Sequence, residues 1–312
     1  MDSLDIRIYR EFFHPRTGLP LEPDIRRSYR NVARKLRIDE VTVRNRIKRL
    51  QLSGFLKGWR VIVNPNLLGV HLAQLWLNVQ PLTRKDALIE KLKLMHGVLA
   101  MSDCYGSTLS VILMYEGEIS ARKEFDLIQR IANAERLVRA NIPFPDSTIE
   151  LTHTDWRIIE AVRADPRQSY PRIAREVGVS SKTVRRRLQR MMEERALFVI
   201  PSLNPGALDG AIIADLVVFY ANPESKSVID KGIVSRYDEL LIRAELGDRE
   251  HGFFNLIITN ISQAKEISTW VKEQPGVGNA FVELVQDRIE LYESLNEPVD
   301  KKLSEAATVR VP

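Results

Sequence analysis

The sequence has few of the residues that build disulfides or metal centres. Cys104 is the only cysteine among 312 residues, so an intramolecular disulfide and a multi-cysteine zinc site are both excluded. The five histidines are scattered, without HExxH-type spacing or neighbouring carboxylate pairs. P-loop, GxSxG and Rossmann fingerprints are also missing. We therefore expect a protein of the reducing cytoplasm with no metal, no cofactor and no catalytic residues.

Long hydrophobic runs are missing as well. The most apolar stretch, GAIIADLVVFYA at 210–221, contains Asp215 and is shorter than the roughly 20 residues that span a bilayer. The N-terminus, MDSLDIRIYREFF, carries acidic residues and no apolar core of a signal peptide. These features predict a soluble protein without a membrane partner. The net charge of +5 permits an anionic partner.

The chain contains an internal repeat. The segment SYRNVARKLRIDEVTVRNRI begins at Ser28, and the similar segment SYPRIAREVGVSSKTVRRRL begins at Ser169. Upstream, LDIRIYREF matches TDWRIIEAV; downstream, NPNLLG matches NPGALDG. The first copy has an additional stretch, HPRTGLPLEPDIRR at 14–27, whose prolines and glycine predict a loop. The chain is therefore two tandem units.

The first part of each unit has the pattern of three short helices. In unit two, Val184, Leu188 and Met191 recur at helical spacing, and Ser180 is a suitable N-cap for that helix. Gly178 separates it from the preceding helix, as in a helix-turn-helix motif. In unit one, Asp39 would cap the corresponding helix.

The second part of each unit alternates strands and helices in the order βαββαβ. This order predicts a ferredoxin-like sandwich with both helices on one face of the sheet. The fold class is thus α+β, with two winged helix-turn-helix domains alternating with two ferredoxin-like domains. The expected domains are 1–65 and 151–205 (helix-turn-helix), 66–150 and 206–297 (ferredoxin-like), and a flexible tail at 298–312.

Both units resemble the Lrp/AsnC family of transcriptional regulators. The resemblance lies in DIRIYREF…VARKLRIDEVTVRNRIKRLQLSGFL…NPNLLG and in DWRIIEAV…IAREVGVSSKTVRRRLQRM…NPGALDG. It implies double-stranded DNA as a partner and an internal pseudo-dimer, with a dimer or higher oligomer of fused chains left open. It also implies an effector near the sandwich hairpin, at Gly106 and Gly252. The family's hairpin tends to read G-x-x-D, and the acid is absent from both copies here.

The segment VSSKTVRRRLQRM at 179–191 carries four arginines and one lysine. Because the apolar face belongs to the core, Lys182, Arg186 and Arg190 should point outward, towards a DNA major groove. A solvated helix face is the alternative. In unit one the corresponding helix begins with the acidic residues Asp39 and Glu40, which repel phosphate. An alternative for unit one is therefore a helix-turn-helix that packs in the protein but hardly binds DNA. The predicted DNA contacts are Thr42, Arg44, Asn45, Lys48, Arg49, Lys57, Arg60, Ser181, Lys182, Thr183, Arg185, Arg186 and Arg190.

Lys57, Trp59 and Arg60 follow the third helix of unit one, which is the recognition helix of its helix-turn-helix motif. They could form a wing along the phosphate backbone, or Trp59 could pack beneath a strand.

The sequence favours a DNA-binding transcriptional regulator that performs no chemistry. An alternative is an enzyme, because the architecture also resembles that of the siroheme decarboxylases, which act on a tetrapyrrole. Fold alone does not separate the two. A third alternative is a scaffold whose helix-turn-helix units bind protein.

Overall fold

A computed structural model describes residues 1–13, 28–134, 137–245 and 247–308. The predicted loop at 14–27 lies outside the described residues. Unit one contains α1 (Ser3–Phe13), α2 (Tyr29–Leu36), α3 (Glu40–Leu52), β1 (Leu56–Val63), α4 (Pro65–Leu68), β2 (His71–Asn78), α5 (Lys85–Lys93), β3 (Val98–Cys104), β4 (Thr108–Tyr115), α6 (Glu118–Ala132) and β5 (Leu137–Ile142). Unit two contains α7 (His153–Ala164), α8 (Tyr170–Val177), α9 (Ser181–Glu193), β6 (Leu197–Leu203), β7 (Ile212–Tyr220), α10 (Lys226–Arg236), β8 (Leu241–Glu245), β9 (His251–Ile258), α11 (Ile261–Lys272), β10 (Val277–Glu290) and α12 (Asn296–Thr308).

Both recognition helices begin at the predicted caps. The Asp39 carboxylate accepts a hydrogen bond from the Thr42 amide at 2.6 Å, and the Ser180 hydroxyl accepts one from the Thr183 amide at 3.1 Å. Such side chains satisfy amides that the first helical turn leaves without a partner. Gly178 ends α8 with φ +76°, a left-handed conformation that glycine adopts readily. The helix-turn-helix is therefore formed in both units.

The two helix-turn-helix modules form one body. Strands β1 and β6 pair antiparallel, with Trp59 opposite Pro201 and Val63 opposite Leu197. A single buried cluster extends through the helices of both modules, including Ile8 and Val43 from unit one and Ile158 and Val184 from unit two. The relative placement of α3 and α9 is consequently fixed by backbone pairing and by a shared core.

The other strands form one eight-stranded sheet, in the order β5-β2-β4-β3-β10-β7-β9-β8. Each unit supplies the predicted βαββαβ order. Strand β10 joins the two halves, because Val277–Leu284 pairs with β7 and Val285–Glu290 pairs with β3. One chain thus makes a continuous sheet from both of its units.

The two halves of the sheet also meet face to face. Helices α5 and α6 cover the outer face in unit one, and α10 and α11 cover it in unit two. On the inner faces Trp76 packs against Phe253, with ring centroids 4.7 Å apart. The Asn141 amide on the β5 edge donates to the Asp248 carboxylate at 2.9 Å, so the sheet curves back on itself.

The C-terminal segment corrects the predicted flexible tail at 298–312. Residues 296–308 form α12, which packs on α7, and the last four residues of this segment, 309–312, lie outside the described residues. Val299 is 5% exposed, and Asp300 forms an ion pair with Arg163 at 2.7 Å. The remaining domain limits stay predictions. Within the described residues, no helix has the length and apolar character needed to cross a membrane.

Candidate nucleic-acid interface

The outward face of α9 presents four free cations. Lys182, Arg185, Arg186 and Arg190 are all exposed. No hydrogen bond or ion pair within the described residues occupies their side chains. Val184 and Leu188 on the opposite face are buried, as the helical spacing predicts. This face can accept phosphate oxygens or base edges without breaking an internal contact.

A fifth cation of α9 has a structural role. The Arg187 guanidinium donates to the Asp155 carboxylate at 2.9 Å and to the Thr152 hydroxyl at 3.0 Å. Asp155 is 2% exposed and also accepts the Thr152 amide within the cap of α7. This contact ties the recognition helix to the first helix of its module.

Unit one repeats this anchor. Arg46 lies 3.2 Å from the Asp5 carboxylate, which is fully buried at the start of α1. Sequence reasoning missed both anchors. The available signal was an aspartate at the same place in LDIR and TDWR, combined with an arginine at the same place in both recognition helices.

The cations of α3 are largely neutralised within the protein. Arg44 pairs with Glu40 at 2.9 Å, and Arg49 forms ion pairs with Asp5 and Asp2. Partial burial of Asp2 opposes ionisation, but hydrogen bonds from Arg46 and from the Asp5 amide outweigh it and lower the pKa of Asp2 to about 2. Asp2 therefore remains an anion at neutral pH.

Only two predicted contacts of α3 combine exposure with a free side chain. Asn45 and Lys48 are exposed, and no contact within the described residues holds either. Thr42 donates its hydroxyl to the Asp39 cap. In unit two, the Thr183 hydroxyl is likewise hydrogen-bonded to Ser180 at 2.9 Å, and Ser181 is half-buried at the helix start.

The predicted wing is divided between two environments. Lys57 is exposed, whereas Trp59 is half-buried beside Phe12, with ring centroids 6.4 Å apart. Arg60 lies 3.6 Å from both Glu290 and Glu293, at the end of the eight-stranded sheet. Trp59 therefore packs inside the protein, as the alternative to a wing stated. Arg60 is held by two carboxylates, so its position does not support the predicted DNA contact.

The two glycines predicted near an effector have unlike surroundings. Gly106 is exposed in the β3–β4 turn with φ +86°, and its carbonyl accepts a hydrogen bond from Lys85 at 2.9 Å. Gly252 is buried in β9, where a Cβ atom would collide with the Tyr220 hydroxyl. The second glycine makes room for a neighbouring side chain, so this placement does not support an effector site there.

A polar cavity of about 30 Å³ lies between the two halves of the sheet. Arg288 donates to the Ser102 hydroxyl at 3.3 Å and lies 3.8 Å from the Asp215 carboxylate. Burial acts to lower the pKa of Arg288, but the Asp215 carboxylate together with Tyr292, Glu290 and Tyr9 outweighs it and raises that pKa. Ligand pockets usually have volumes of about 300–1,000 Å³. In the described structure this cavity has room for water-sized molecules only.

The fold and the α9 surface define a helix-turn-helix protein with ferredoxin-like sandwiches, the class to which many DNA-binding regulators belong. Residues 151–192 match the family model for the AsnC-type helix-turn-helix domain. Over 126 residues the chain is 29% identical to the HTH-type transcriptional regulator Ptr1 of Methanocaldococcus jannaschii. The matching segment covers 40% of this chain and 78% of that relative. The chain is therefore similar to AsnC-type proteins in its second helix-turn-helix segment, and its fold consists of two fused units.

Two solved structures match along almost the whole chain. The siroheme decarboxylase NirDL superposes with a TM-score of 0.56 at 12% identity and covers 99% of both chains. Its complex with an iron-uroporphyrin III analogue gives a TM-score of 0.53 at 13% identity, covering 98% of this chain and 100% of the other. At these identities the likeness shows a shared fold with two fused units.

These matches overturn the prediction that the chain is not an enzyme. The architecture shared over the full length is that of an enzyme, whereas the helix-turn-helix match covers residues 151–192 only. Missing catalytic motifs did not justify the prediction, because the same fold can carry chemistry or DNA binding.

Proposed function

We propose that the protein is a sequence-specific, double-stranded-DNA-binding transcriptional regulator. The observation that carries this proposal is the row of four exposed, unpaired cations on α9: Lys182, Arg185, Arg186 and Arg190. The row lies within the segment that matches the AsnC-type domain. Free cations on a recognition helix are suited to phosphate contacts and to base readout in the major groove.

The two units contribute unequally in this proposal. In unit two all four outward cations are free, whereas in unit one Arg44 and Arg49 already pair with carboxylates. DNA would have to compete with Glu40, Asp2 and Asp5 for those arginines. Unit two therefore supplies most of the salt-dependent affinity, and unit one contributes mainly through Asn45 and Lys48.

Salt dependence of DNA binding tests this proposal. A preferred site is first selected from random double-stranded DNA, and its affinity is then measured across a series of salt concentrations. Replacing the four α9 cations by alanine should reduce the slope of log K against log salt by about three to four, since each phosphate contact contributes about 0.9. Replacing Arg44, Lys48 and Arg49 should reduce it by about one.

Arg122→Ala is the matched control, because it removes an exposed arginine from α6, far along the chain from either recognition helix. Its slope should equal that of the parent. Recovery of no preferred sequence, or equal slopes for all the variants, would remove the basis for the proposal.

The whole-chain match to NirDL supports a second candidate function, an activity on a tetrapyrrole substrate. The cavity beside Arg288 offers polar groups for such a substrate, but its volume of about 30 Å³ requires the half-sheets to separate first. A titration with iron-uroporphyrin III, followed by visible absorption, decides between the two. A saturable spectral change with one equivalent, lost in Ser102→Trp, would favour the enzyme.

The regulator proposal also includes a small-molecule effector and the assembly of fused chains into a dimer or higher oligomer. So does a cytoplasmic location, which suits a protein whose lone Cys104 is buried and unpaired.

A further inference from the structure

One arginine of unit two is inserted among the aromatic rings of unit one. Arg167 lies in the turn between α7 and α8, and its guanidinium carbon is 5.0 Å from the Tyr29 ring centroid. The same atom lies 5.9 Å from the ring of Trp59 and 6.0 Å from that of Phe12. A guanidinium over aromatic faces is attracted by the negative charge of those faces. Within the described residues, no carboxylate pairs with it.

The three rings belong to three elements of unit one. Phe12 lies on α1, Tyr29 begins α2, and Trp59 lies on β1 opposite Pro201 of β6. Arg167 therefore contacts α1 and α2 outside the β1–β6 ladder, as well as Trp59 within it. The ladder and the shared core set the placement of the two modules, and the Arg167 contact further restricts rotation about the paired strands.

The Tyr29 ring also contacts the recognition helix of unit one. The Arg44 guanidinium of α3 lies 5.3 Å from the Tyr29 ring centroid. Tyr29 thus contacts Arg167 of unit two and Arg44 of the unit-one recognition helix. The position of α3 is coupled to unit two through one aromatic side chain.

The set of three rings is not repeated in the sequence of unit two. In the internal repeat Phe12 corresponds to Val162, and the stretch of β6 that matches Trp59 reads Val199-Ile200. Of the three rings only Tyr29 has an aromatic counterpart, Tyr170. The sequence of unit two therefore lacks two of the three aromatic residues that surround Arg167 in unit one.

We propose that Arg167 is a positioning residue that locks the two helix-turn-helix modules together and so sets the spacing of the half-sites that the chain reads. Its consequence for DNA rests on the proposed function. Its consequence for the protein, a fixed separation of α3 and α9, does not. The two can be measured separately.

The first experiment uses no DNA. Spin labels are attached to cysteines that replace Gln51 on α3 and Gln189 on α9, both exposed, while Cys104 is buried and protected from labelling. Arg167→Ala should broaden the distribution of distances between the labels. Arg172→Ala removes an exposed arginine of the same module that contacts no aromatic ring among the described residues, and it should leave the distribution as narrow as in the parent.

The second experiment varies the DNA. The selected two-half-site sequence is shortened and lengthened by single base pairs, and the affinity is measured for each spacing. The parent should show a sharp optimum, and Arg167→Ala should flatten it, with a loss of about three- to tenfold at the optimum and none on an isolated half-site. Arg167→Lys, which keeps the charge, should fall between the two.

Unchanged label distances in Arg167→Ala would overturn the proposal, whatever the DNA results. If the parent shows no spacing preference, the proposed function fails while the label distances still decide the role of Arg167. If Arg167→Ala does not fold, the same measurements on Arg167→Lys decide it, and an unaltered distribution there overturns the proposal.

Discussion

Asn45 and Arg186 occupy matching positions on the outward faces of α3 and α9, and they suit different bases. Asparagine pairs best with the N6 and N7 atoms of adenine, whereas arginine pairs with O6 and N7 of guanine. Beside them, Val41, which is 62% exposed, matches Lys182. Valine suits a thymine methyl group, and lysine suits phosphate or guanine.

We expect the chain to select two dissimilar half-sites about one helical turn apart. The half-site under unit one should lean towards A and T, and the half-site under unit two should contain G. Sequencing of DNA selected from a random pool measures this. A perfectly palindromic selected site would contradict it, because identical half-sites call for identical recognition helices.

Arg186→Ala should cost roughly 1–3 kcal/mol of DNA-binding free energy and relax the preference at one base position, if Arg186 reads a base. If Arg186 contacts only phosphate, binding should weaken on every sequence and the salt slope should fall by about one. Binding curves for the selected site and for its single-base variants distinguish the two outcomes. Full affinity in Arg186→Ala would show that α9 does not face DNA.

Arg187→Ala should lower the free energy of unfolding by about 2–3 kcal/mol, because it leaves the buried Asp155 carboxylate without its cation. Urea unfolding measures the loss. The neighbouring exposed Arg185 is the control, since a surface substitution away from special contacts changes stability by only about 0.5 kcal/mol. Equal stability of the two variants would mean that the anchor contributes nothing.

Helical spacing alone was enough to predict which residues of α9 face outward, since Val184, Leu188 and Met191 already fill the buried side. It could not predict which cations remain free. Arg49 meets Asp5, which is 44 residues away in the chain, and Arg60 meets Glu290. Such pairs depend on how helices and strands are placed in space, which no local pattern contains.

At the scale of elements, α12 shows where composition misleads. Its sequence is rich in charge, yet Val299 joins the shared core and Leu303 and Ala306 pack against it. A sparse apolar face on a polar helix gives a weak periodic signal, so the segment was expected to be a tail. The βαββαβ order, in contrast, followed from long, strongly alternating segments and is confirmed in both units.

Val299→Ala should lower the free energy of unfolding by about 1–3 kcal/mol, because it removes buried methyl groups and leaves a cavity. Thermal unfolding monitored by circular dichroism measures the change. Lys301→Ala on the exposed side of α12 is the control and should unfold like the parent. An unchanged midpoint for Val299→Ala would show that the helix is dispensable for stability.

At the scale of the whole molecule, β10 makes the two units interdependent. It extends over 14 residues and pairs first with β7 of its own unit and then with β3 of the other. A fragment comprising residues 1–150 would lack β10 and expose the edge of β3. Open strand edges invite pairing with another chain.

We therefore expect the 1–150 fragment to associate or to unfold when it is expressed alone, while the full chain is folded. Light scattering and circular dichroism on the two proteins at equal concentration measure this. A folded, monomeric fragment would contradict the dependence of unit one on β10.

The fusion of both units into one sheet also affects how such a protein can change over generations. In a homodimer a single mutation alters both halves of the complex at once, and both halves of the DNA site must follow. Here Asp2 corresponds to Thr152 in the internal repeat, and Trp59 corresponds to Ile200, so the two units already differ at these positions. One half can acquire a new preference while the unaltered half keeps the complex on its DNA.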